Sequence, residues 1–420
     1  MPDHARILEI RLGNRRIGHL VNYRGSSAFL AAPDYVADPG RPVLSQSFRG
    51  SDDARTQRLL TDLHSELTIS RVRVPPFFAN LLPEGALRTR IAGELRVSED
   101  AEFDMLAALG RDLPGAVTAT PTDEVPPAAL ALFGEGVADH VSRHIGQTVE
   151  KFSLSGVQLK FSVLRNSQRR YVLAGDSETG DIILKPPHPA FPHLPENEYS
   201  SMRLAQLAGV DTPEFWLVDP SELAVPALRG LEGTIYAIRR FDRVGSERVH
   251  IEDFAQVLGI RAANKYGDTN YDTILRIIMN RTRNGLLDAR QLVRRLVVNI
   301  LIGNGDAHIK NFSLIYRDPQ HPDLAPAYDI VSTIQYLPQD QSMALNMAGE
   351  RQVADITIAS FEKLERRVGL LRPAQLAREA RQTVQRASDR WPTELSSLPM
   401  EEGHKEVIRK RLRTLPLTRL

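Results

Sequence analysis

The sequence predicts an α+β protein with two lobes, preceded by a small N-terminal α/β accessory region. Short apolar runs at 161–164, 181–185 and 235–239 have the composition of strands, whereas apolar residues recur at helical spacing between Leu292 and Leu301. Apolar and polar residues also alternate near the start of the chain, as in a sheet with one exposed face. The expected boundaries are 1–120 for the N-terminal region, 121–144 for a linker, 145–245 for a sheet-rich lobe and 246–420 for a mainly helical lobe.

The N-terminal region is expected to contain a small sheet followed by helices. Alternation runs from Ile7 to Ile10 and again from Ile17 to Val21, and helices are predicted after Ser51. The stretch from Pro121 to Pro127 is rich in proline and acidic residues. Because such residues interrupt regular structure, this stretch marks the linker.

The segment 153–160, Ser-Leu-Ser-Gly-Val-Gln-Leu-Lys, precedes the first strand of the sheet-rich lobe. Its small residues would let backbone N–H groups approach phosphate oxygens. It matches neither a Walker A sequence nor a Gly-x-Gly-x-x-Gly loop. Taken alone, it fits a polar hairpin turn better than a phosphate-binding loop.

The strand predicted at 181–185 ends in Lys185, whose ammonium could reach the phosphates of a nucleotide. The helix predicted next has Glu198 near its start. Glu198 has two interpretations of equal weight: a favourable acidic residue at a helix N-terminus, or an ion pair with Lys185. The strand at 235–239 lies where a hinge between two lobes would contact adenine, although nothing in its sequence demands that role.

The most informative segment is 304–311, Asn-Gly-Asp-Ala-His-Ile-Lys-Asn. A predicted helix ends before it, and a predicted strand and turn bring the chain back to Asp329. Asp306 and Asn311 lie five positions apart, and Asp329 follows the hairpin. Protein kinases use this spacing for a catalytic aspartate and two magnesium ligands. We therefore expect Asp306, Asn311 and Asp329 to converge at one end of the hairpin.

Several segments, spread over most of the chain, form an ordered set. They are Ser153 to Lys160, Lys185-Pro186, Asn197 to Tyr199, Arg240 to Arg243, His250 to Phe254, Gly303 to Ser313 and Pro326 to Asp329. In this order they resemble the HipA-type serine/threonine kinases, the toxins of bacterial toxin–antitoxin pairs, which have a two-lobed fold like that of phosphatidylinositol kinases. Pro76 to Gly85 and Gly110 to Gly115 resemble the accessory N-terminal region of the same family.

The resemblance implies roles for individual residues. Asp306 corresponds to the catalytic aspartate, and Asn311 and Asp329 correspond to the magnesium ligands. The residues implied to contact ATP are Ser155, Gly156, Val157, Gln158, Lys160, Lys185, Arg239, Phe241, His308 and Tyr328. Ser153 corresponds to a loop serine whose autophosphorylation switches the kinase off. Many relatives have a small residue without a hydroxyl at the position of Ser155. This chain has a serine there, which is a second candidate for that modification.

The resemblance also implies partners and cofactors. The cofactors are ATP and Mg²⁺, and the partner is a HipB-like helix-turn-helix antitoxin that links the complex to operator DNA. The implied substrate is a serine of an aminoacyl-tRNA synthetase, whose phosphorylation would arrest translation and growth. Two other classes stay open: a catalytically inactive kinase-like module that acts with a DNA-binding partner, and a metal-dependent hydrolase. Lys185 and the 153–160 loop favour the kinase, because a hydrolase would not need them.

Composition is consistent with a cytoplasmic enzyme. The 420 residues are 42% hydrophobic, which is enough for a large core in two or three domains. Cysteine is absent, which excludes disulfides and thiolate metal sites, and the 11 histidines show no His-Glu-x-x-His spacing. No run of about 18 apolar residues is present, and Met1 to Arg16 is polar, so neither a membrane span nor a secretory signal is expected.

Charge bears on the class of partner. The formal net charge of +1 argues against wholesale binding of nucleic acid. Basic residues do cluster at 366–367 and at 404–413. A solvated helix face is the simpler interpretation of these clusters, and contact with DNA or with a DNA-bound partner is the alternative.

Overall fold

The computed structural model describes residues 4–139, 141, 160–168, 170–173, 180–225, 228, 230–267, 269–339, 341–370 and 374–419. These residues form a mixed α+β structure, as predicted. Both five-stranded sheets are formed by residues 6–239, and the two longest helices follow them.

The N-terminal region is built on a five-stranded antiparallel sheet with the strand order β4-β3-β2-β1-β5. Its strands are β1 (Arg6–Leu12), β2 (Arg15–Tyr23), β3 (Ser26–Ala31), β4 (Ile69–Arg71) and β5 (Val117–Pro121). Between β3 and β5 lie the helices α1 (Pro33–Ala37), α2 (Asp53–Thr61), α3 (Pro76–Ala79), α4 (Gly85–Leu95) and α5 (Glu102–Leu109). Leu8 and Ile10 pack into the core on one face of the sheet, whereas Ile7 packs on the other face. The predicted small sheet is therefore present and is covered on both sides.

The second face of this sheet is covered by the short helices α6 (Pro127–Phe133) and α7 (Gly136–Asp139). Ala129 and Val137 pack there against Ile7 and Val21. The segment that we expected to be a linker, 121–144, thus contains helices that belong to the N-terminal region. Pro127 suits the first turn of a helix, and the Ala-Ala-Leu-Ala-Leu run after it consists of strong helix formers. The other domain boundaries stay predictions.

The sheet-rich lobe contains an antiparallel sheet with the order β7-β6-β8-β10-β9. Its elements are β6 (Phe161–Arg165), β7 (Tyr171–Leu173), β8 (Ile182–Lys185), α8 (Leu194–Leu207), β9 (Phe215–Val218) and β10 (Ile235–Arg239). Successive residues of β10 face opposite sides: Ile235 and Ala237 pack toward the N-terminal region, and Tyr236 and Ile238 pack toward α8 and the helical lobe. The sheet is therefore buried between two hydrophobic cores.

The helical lobe also contains short strands. Its helices are α9 (Phe254–Leu258), α10 (Tyr271–Arg281), α11 (Gly285–Ile302), α12 (Ile358–Val368), α13 (Gln375–Leu395) and α14 (Glu402–Thr414). Its strands are β11 (Arg243–Val244), β12 (Glu247–Arg248), β13 (His250–Asp253), β14 (Ser313–Tyr316), β15 (Asp323–Leu324), β16 (Ser342–Met347) and β17 (Glu350–Gln352). Helix α11 is buried along most of its length, with Leu296, Val297 and Leu301 fully enclosed. It gives the loop that follows it a rigid base.

The N-terminal region is joined to the rest of the chain by a shared core and by buried ions. Phe29 and Leu106 of the N-terminal region belong to the same cluster of buried side chains as Leu184 of β8. Nearby, the buried guanidinium of Arg243 forms an ion pair with Asp112 at 2.9 Å. The two parts therefore pack as one unit.

Candidate active site

The loop after α11 carries Asp306. The helix ends at Gly303, whose φ of +75° turns the chain out of the helical path. The side chain of Asn304 then accepts the backbone N–H of Asp306 at 3.0 Å and donates to Asn299 at 3.0 Å. These bonds fix the loop and leave the Asp306 side chain exposed.

Asn311 ends the same loop. Its Oδ1 accepts the backbone N–H of His308 at 3.1 Å. An amide oxygen has two lone pairs, so a second ligand can still bind there. The hydroxyl of Tyr328 donates to the carbonyl of Lys310 at 2.8 Å, which ties the loop to the segment that returns after β15. That segment brings Asp329 to the same cavity as Asn311.

Asp329 lies between two lysines. Its backbone has φ +54°, a left-handed conformation that is uncommon for residues other than glycine. Its Oδ2 lies 3.0 Å from the Nζ of Lys160, and its Oδ1 forms an ion pair with Lys185. Lys185 also forms an ion pair with Glu198. Of the two interpretations of Glu198, the structure has the ion pair.

Opposite charges decide which of these buried groups are ionised. Burial alone would raise the pKa of Asp329, but the ammonium groups of Lys160 and Lys185 hold it well below its usual range. Burial alone would lower the pKa of Lys185, but Asp329 and Glu198 raise it above its ordinary value. For Lys160 burial dominates and lowers the pKa, and for Glu198 burial dominates and raises it. Lys185 and Asp329 are therefore both charged at neutral pH.

These side chains surround a cavity of about 600 Å³ between the sheet-rich and helical lobes. The predicted site residues that line it are Lys160, Lys185, Arg239, Phe241, Asp306, His308, Asn311, Tyr328 and Asp329. The rings of Phe241 and Tyr328 lie 5.7 Å apart at one end. The other predicted positions, Ser153, Ser155, Gly156, Val157 and Gln158, lie outside the described residues.

Two backbone N–H groups of the predicted hinge are already hydrogen-bonded within the protein. The N–H of Arg239 donates to the carbonyl of Glu214 at 2.9 Å, and the N–H of Arg240 donates to the carbonyl of Asp181 at 2.8 Å. The guanidinium of Arg239 is exposed and pairs with the same two residues. An adenine at this position would therefore depend on Phe241 or on carbonyl groups.

Family models match both parts of the chain. The model of the HipA N-terminal domain matches residues 8–120, and the model of the HipA-like C-terminal domain matches residues 152–391, more than half of the chain. The chain belongs to the HipA family. The predicted resemblance is thereby confirmed.

Relatives of this HipA-family chain carry the names of kinases. It is 37% identical over 401 residues to "Putative kinase Y4dM" of Sinorhizobium fredii, an alignment that covers 94% of this chain and 93% of that protein. It is 26% identical over 306 residues to the serine/threonine-protein kinase toxin HipA of Shewanella oneidensis, with 66% of this chain and 67% of that protein covered.

A solved structure shares the fold. It is that of the Shewanella oneidensis HipA and HipB toxin–antitoxin system with its operator DNA. The match has a TM-score of 0.70 at 21% identity and covers 97% of this chain and 96% of the other chain. The two-lobed α+β fold predicted from the sequence is therefore confirmed.

A tyrosine that sequence reasoning missed lies against Asp306 in this HipA-family chain. The hydroxyl of Tyr266 donates to Oδ1 of Asp306, and its ring packs edge-on against His308 at 5.1 Å. Burial and the Asp306 carboxylate raise the pKa of Tyr266, so it remains a donor. Burial lowers the pKa of His308 to about 4, and its ring is neutral at pH 7. A tyrosine between a lysine and a glycine carries no sequence signal for this contact.

The N-terminal region also reaches the cavity, through Asn80 and Glu84. Both residues contact Lys310 of the loop 304–311, which we call the catalytic loop after the role predicted for Asp306. In the sequence, Asn80 and Glu84 lie in the segment that resembles an accessory region. The sequence signal for these contacts was indirect: an Asn and a Glu among buried apolar residues need polar partners elsewhere in the fold.

The basic residues near the C-terminal end are largely engaged. Arg409 and Arg413 pair with Glu402 and Glu406 of the same helix. Arg411 is buried and donates to backbone carbonyls at the end of α11. The simpler interpretation, a solvated helix face, describes Arg413, whereas Arg411 is buried and does not fit it.

Two findings bear on metals and membranes. Within the described part of the chain, no group of three or more His, Cys, Asp or Glu side chains is arranged to hold a metal ion. Among the described helices, none is long and apolar enough to span a membrane.

Proposed function

We propose that this chain is an ATP- and Mg²⁺-dependent protein serine/threonine kinase of the cytoplasm, and the toxin of a HipA-type toxin–antitoxin pair. One observation carries the proposal: Lys185, Asp306, Asn311 and Asp329, from separate parts of the chain, line one cavity. A strand lysine paired with a helix glutamate, a loop aspartate and an Asn/Asp pair are the parts that protein kinases use. The pairing of Lys185 with Glu198 favours this reading over a hydrolase.

The oxygen donors fit Mg²⁺. Mg²⁺ in phosphoryl-transfer sites is bound by one or two carboxylates together with substrate phosphates, so a cluster of three acidic residues is not needed. Asp329 supplies a carboxylate that is ionised at neutral pH, and Asn311 supplies an amide oxygen with a remaining lone pair. Mg²⁺, when bound there, would neutralise charge on the phosphates.

The other residues hold and align the reacting groups. Lys185 and Lys160 would bind ATP phosphates as point charges. Asp306 would accept a hydrogen bond from a serine hydroxyl and take its proton as the new O–P bond forms and the bond between the γ-phosphorus and ADP breaks. The rate enhancement would come from positioning and charge stabilisation, because the protein itself forms no covalent bond.

The nucleotide base would lie at the end of the cavity bounded by Phe241 and Tyr328. The two rings are tilted by 36° with their centroids 5.7 Å apart, and they give that end an apolar wall. Aromatic walls of this kind bind flat ligands through stacking and through loss of water. His308 would contribute a neutral ring, because its pKa is about 4.

The biological role rests on the family. The Shewanella oneidensis relative is a serine/threonine-protein kinase toxin, and the solved relative is bound to HipB and operator DNA. For this chain we propose a HipB-like helix-turn-helix antitoxin, indirect contact with DNA, and an aminoacyl-tRNA synthetase as substrate. Autophosphorylation of Ser153 or Ser155 would add nearly two negative charges beside the ATP phosphates and switch the enzyme off.

The test is the intact mass of the purified protein before and after incubation with Mg²⁺ and ATP. We expect a gain of one or two phosphates, mapped to Ser153 or Ser155, which is lost in Asp306→Asn and when EDTA removes the metal. The same preparations, incubated with a bacterial lysate and labelled ATP, should label a synthetase only with the unsubstituted protein. ADP release without phosphoprotein would contradict the kinase and indicate a hydrolase. ATP binding without transfer would indicate the inactive module.

A further inference from the structure

A carboxylate of the N-terminal region reaches across to the catalytic loop. Glu84 is the residue before helix α4, yet its side chain does not cap that helix. Its Oε2 lies instead 3.0 Å from the Nζ of Lys265, and its Oε1 lies 3.3 Å from the Nζ of Lys310. Only 16% of the Glu84 side chain is exposed. Because the carboxylate does not cap helix α4, we look for its function in its contacts with the two lysines.

Each lysine is adjacent to a residue of the proposed chemistry. Lys265 precedes Tyr266, whose hydroxyl donates to Asp306. Lys310 precedes Asn311, the proposed metal ligand. One carboxylate therefore links the end of the catalytic loop to the segment whose tyrosine contacts Asp306.

Lys310 is enclosed by groups that fix its position. Its side chain is 4% exposed, and its Nζ lies 2.9 Å from Oδ1 of Asn80 and 3.0 Å from Oδ2 of Asp253. A buried ammonium needs such partners, since an unpaired charge in the interior is strongly unfavourable. Lys310 is thus a charged anchor for the end of the catalytic loop.

The N-terminal residues are held firmly themselves. The side-chain amide of Asn80 donates to the carbonyls of Pro76 at 2.9 Å and Ile260 at 2.8 Å. Gln256 of helix α9 donates to the carbonyl of Phe77 at 3.1 Å. Helix α3 is therefore bound to the helical lobe, so Glu84 and Asn80 form a fixed support for Lys310.

We propose that Glu84 is a positioning residue, which holds the end of the catalytic loop through Lys310 and the segment that carries Tyr266 through Lys265. The N-terminal region is then a working part of the active site. The catalytic part of this proposal rests on the proposed kinase function, whereas the anchoring of the loop does not.

The test is Glu84→Gln, which keeps the size of the side chain and one acceptor but removes the charge. We expect the maximal phosphorylation rate to fall by about 10- to 100-fold, the range that follows from a small displacement of reacting groups. The KM for ATP should change by less than about twofold, because the ion pairs of Lys185 and Asp329 are untouched. Hydrogen exchange of the amides at 306–311 should become faster.

The chain offers a matched control in Glu102→Gln. Glu102 is also a carboxylate of the N-terminal region, 5% exposed, and it pairs with Arg88 at 3.2 Å and with Arg261 of the helical lobe at 3.6 Å. This substitution has the same chemistry and touches no catalytic-loop lysine. It should lower the melting temperature and leave both the phosphorylation rate and the exchange at 306–311 unchanged.

The outcomes separate the two proposals. Unchanged exchange in Glu84→Gln overturns the anchoring, and faster exchange with an unchanged rate overturns its catalytic importance. Faster exchange in a protein whose unsubstituted form transfers no phosphate supports the anchoring and overturns the kinase. If Glu84→Gln does not fold, Lys265→Met removes the other half of one ion pair. It should then show the same changes to a smaller extent, and unchanged exchange would again overturn the anchoring.

Discussion

The ammonium of Lys185 forms an ion pair with the carboxylate of Asp329, 144 positions later in the chain. Lys185 ends a strand of the sheet-rich lobe, and Asp329 follows the hairpin of the helical lobe. The contact therefore joins the lobes across the cavity. Lys185 also pairs with Glu198, so its ammonium contacts two acidic side chains.

Lys185→Met should destabilise the fold as well as abolish phosphotransfer. Lys185 and Glu198 are 4% and 3% exposed, and breaking a buried pair from one side costs about 3–5 kcal/mol. Adding Glu198→Gln removes the unpaired carboxylate, so Lys185→Met/Glu198→Gln should recover most of the stability and none of the activity. Urea unfolding and phosphorylation rates check the two properties separately. A double variant as unstable as Lys185→Met would show that Glu198 is not the group left unpaired.

Tyr266→Phe should lower the phosphorylation rate by about fivefold. The lost hydrogen bond to Asp306 is worth about 1 kcal/mol at a partly exposed site, and it restrains the carboxylate that we propose accepts the substrate hydroxyl. Stability should change little, since Tyr266 is 44% exposed. Steady-state kinetics with a peptide acceptor measure the effect. A faster enzyme would mean that the tyrosine hydroxyl competes with the substrate for Asp306.

Glu252→Gln should flatten the pH dependence of stability. Burial raises the pKa of Glu252 from 4.5 to about 7, although Ser45, Tyr316 and the N–H of Gln46 donate to the carboxylate. When folding raises the pKa of an acid, the folded state binds the proton more tightly than the unfolded state does. The contribution of Glu252 to the free energy of unfolding is therefore complete below pH 4.5 and is lost as the pH rises to about 7. The loss amounts to about 3 kcal/mol.

The comparison is the free energy of unfolding in urea, measured for both proteins between pH 4.5 and pH 8. Between these two pH values, the free energy of unfolding should fall by about this amount more in the unsubstituted protein than in Glu252→Gln, because every other titrating group is common to both. Gln can still accept from Gln46 and donate to Ser45, so it should be at least as stable as Glu at pH 8. Parallel pH profiles would show that Glu252 is ionised in the folded protein.

Gly303→Ala should destabilise the protein more than the same change at Gly369. Both glycines end a helix with positive φ, +75° at Gly303 and +78° at Gly369. A Cβ at Gly303 would meet Cγ2 of Ile334 at 2.5 Å, whereas a Cβ at Gly369 meets nothing within 4 Å. The backbone strain, about 1–2 kcal/mol, is common to both, and the overlap adds about 1–3 kcal/mol at Gly303. Equal losses in the melting curves would mean that Ile334 moves aside freely.

The local elements could be predicted because their signals are local. Strand β8 and helix α11 follow from apolar spacing, and Gly303 marks the helix end. The pairing of Lys185 with Glu198 was one of two open interpretations, and only packing could choose between them. Helices α6 and α7 were missed because the prolines were taken as a sign of a linker, although proline is favoured at the start of a helix.

The support of the site could not be predicted, because it depends on distant contacts. Glu84 and Lys310 are ordinary charged residues in the sequence, and neither is part of a spacing pattern for catalysis. Their pairing follows from the packing of the N-terminal region against α9. The spacing of apolar residues in the sequence does not predict this packing. The proximity of Lys160 to Asp329 has the same origin, since it depends on how the two lobes close.

The anchoring of Lys310 by Asn80 has a consequence for how the protein is made. The two residues are 230 positions apart, and Lys160 and Asp329 are 169 positions apart. Contacts between such distant positions form late in folding, after the intervening chain has left the ribosome. An incomplete nascent chain that ends before Asp329 lacks one of the two proposed metal ligands and the carboxylate that contacts Lys160. The proposed activity therefore begins only once synthesis has passed Asp329, and a translation product that ends before this residue should lack the activity.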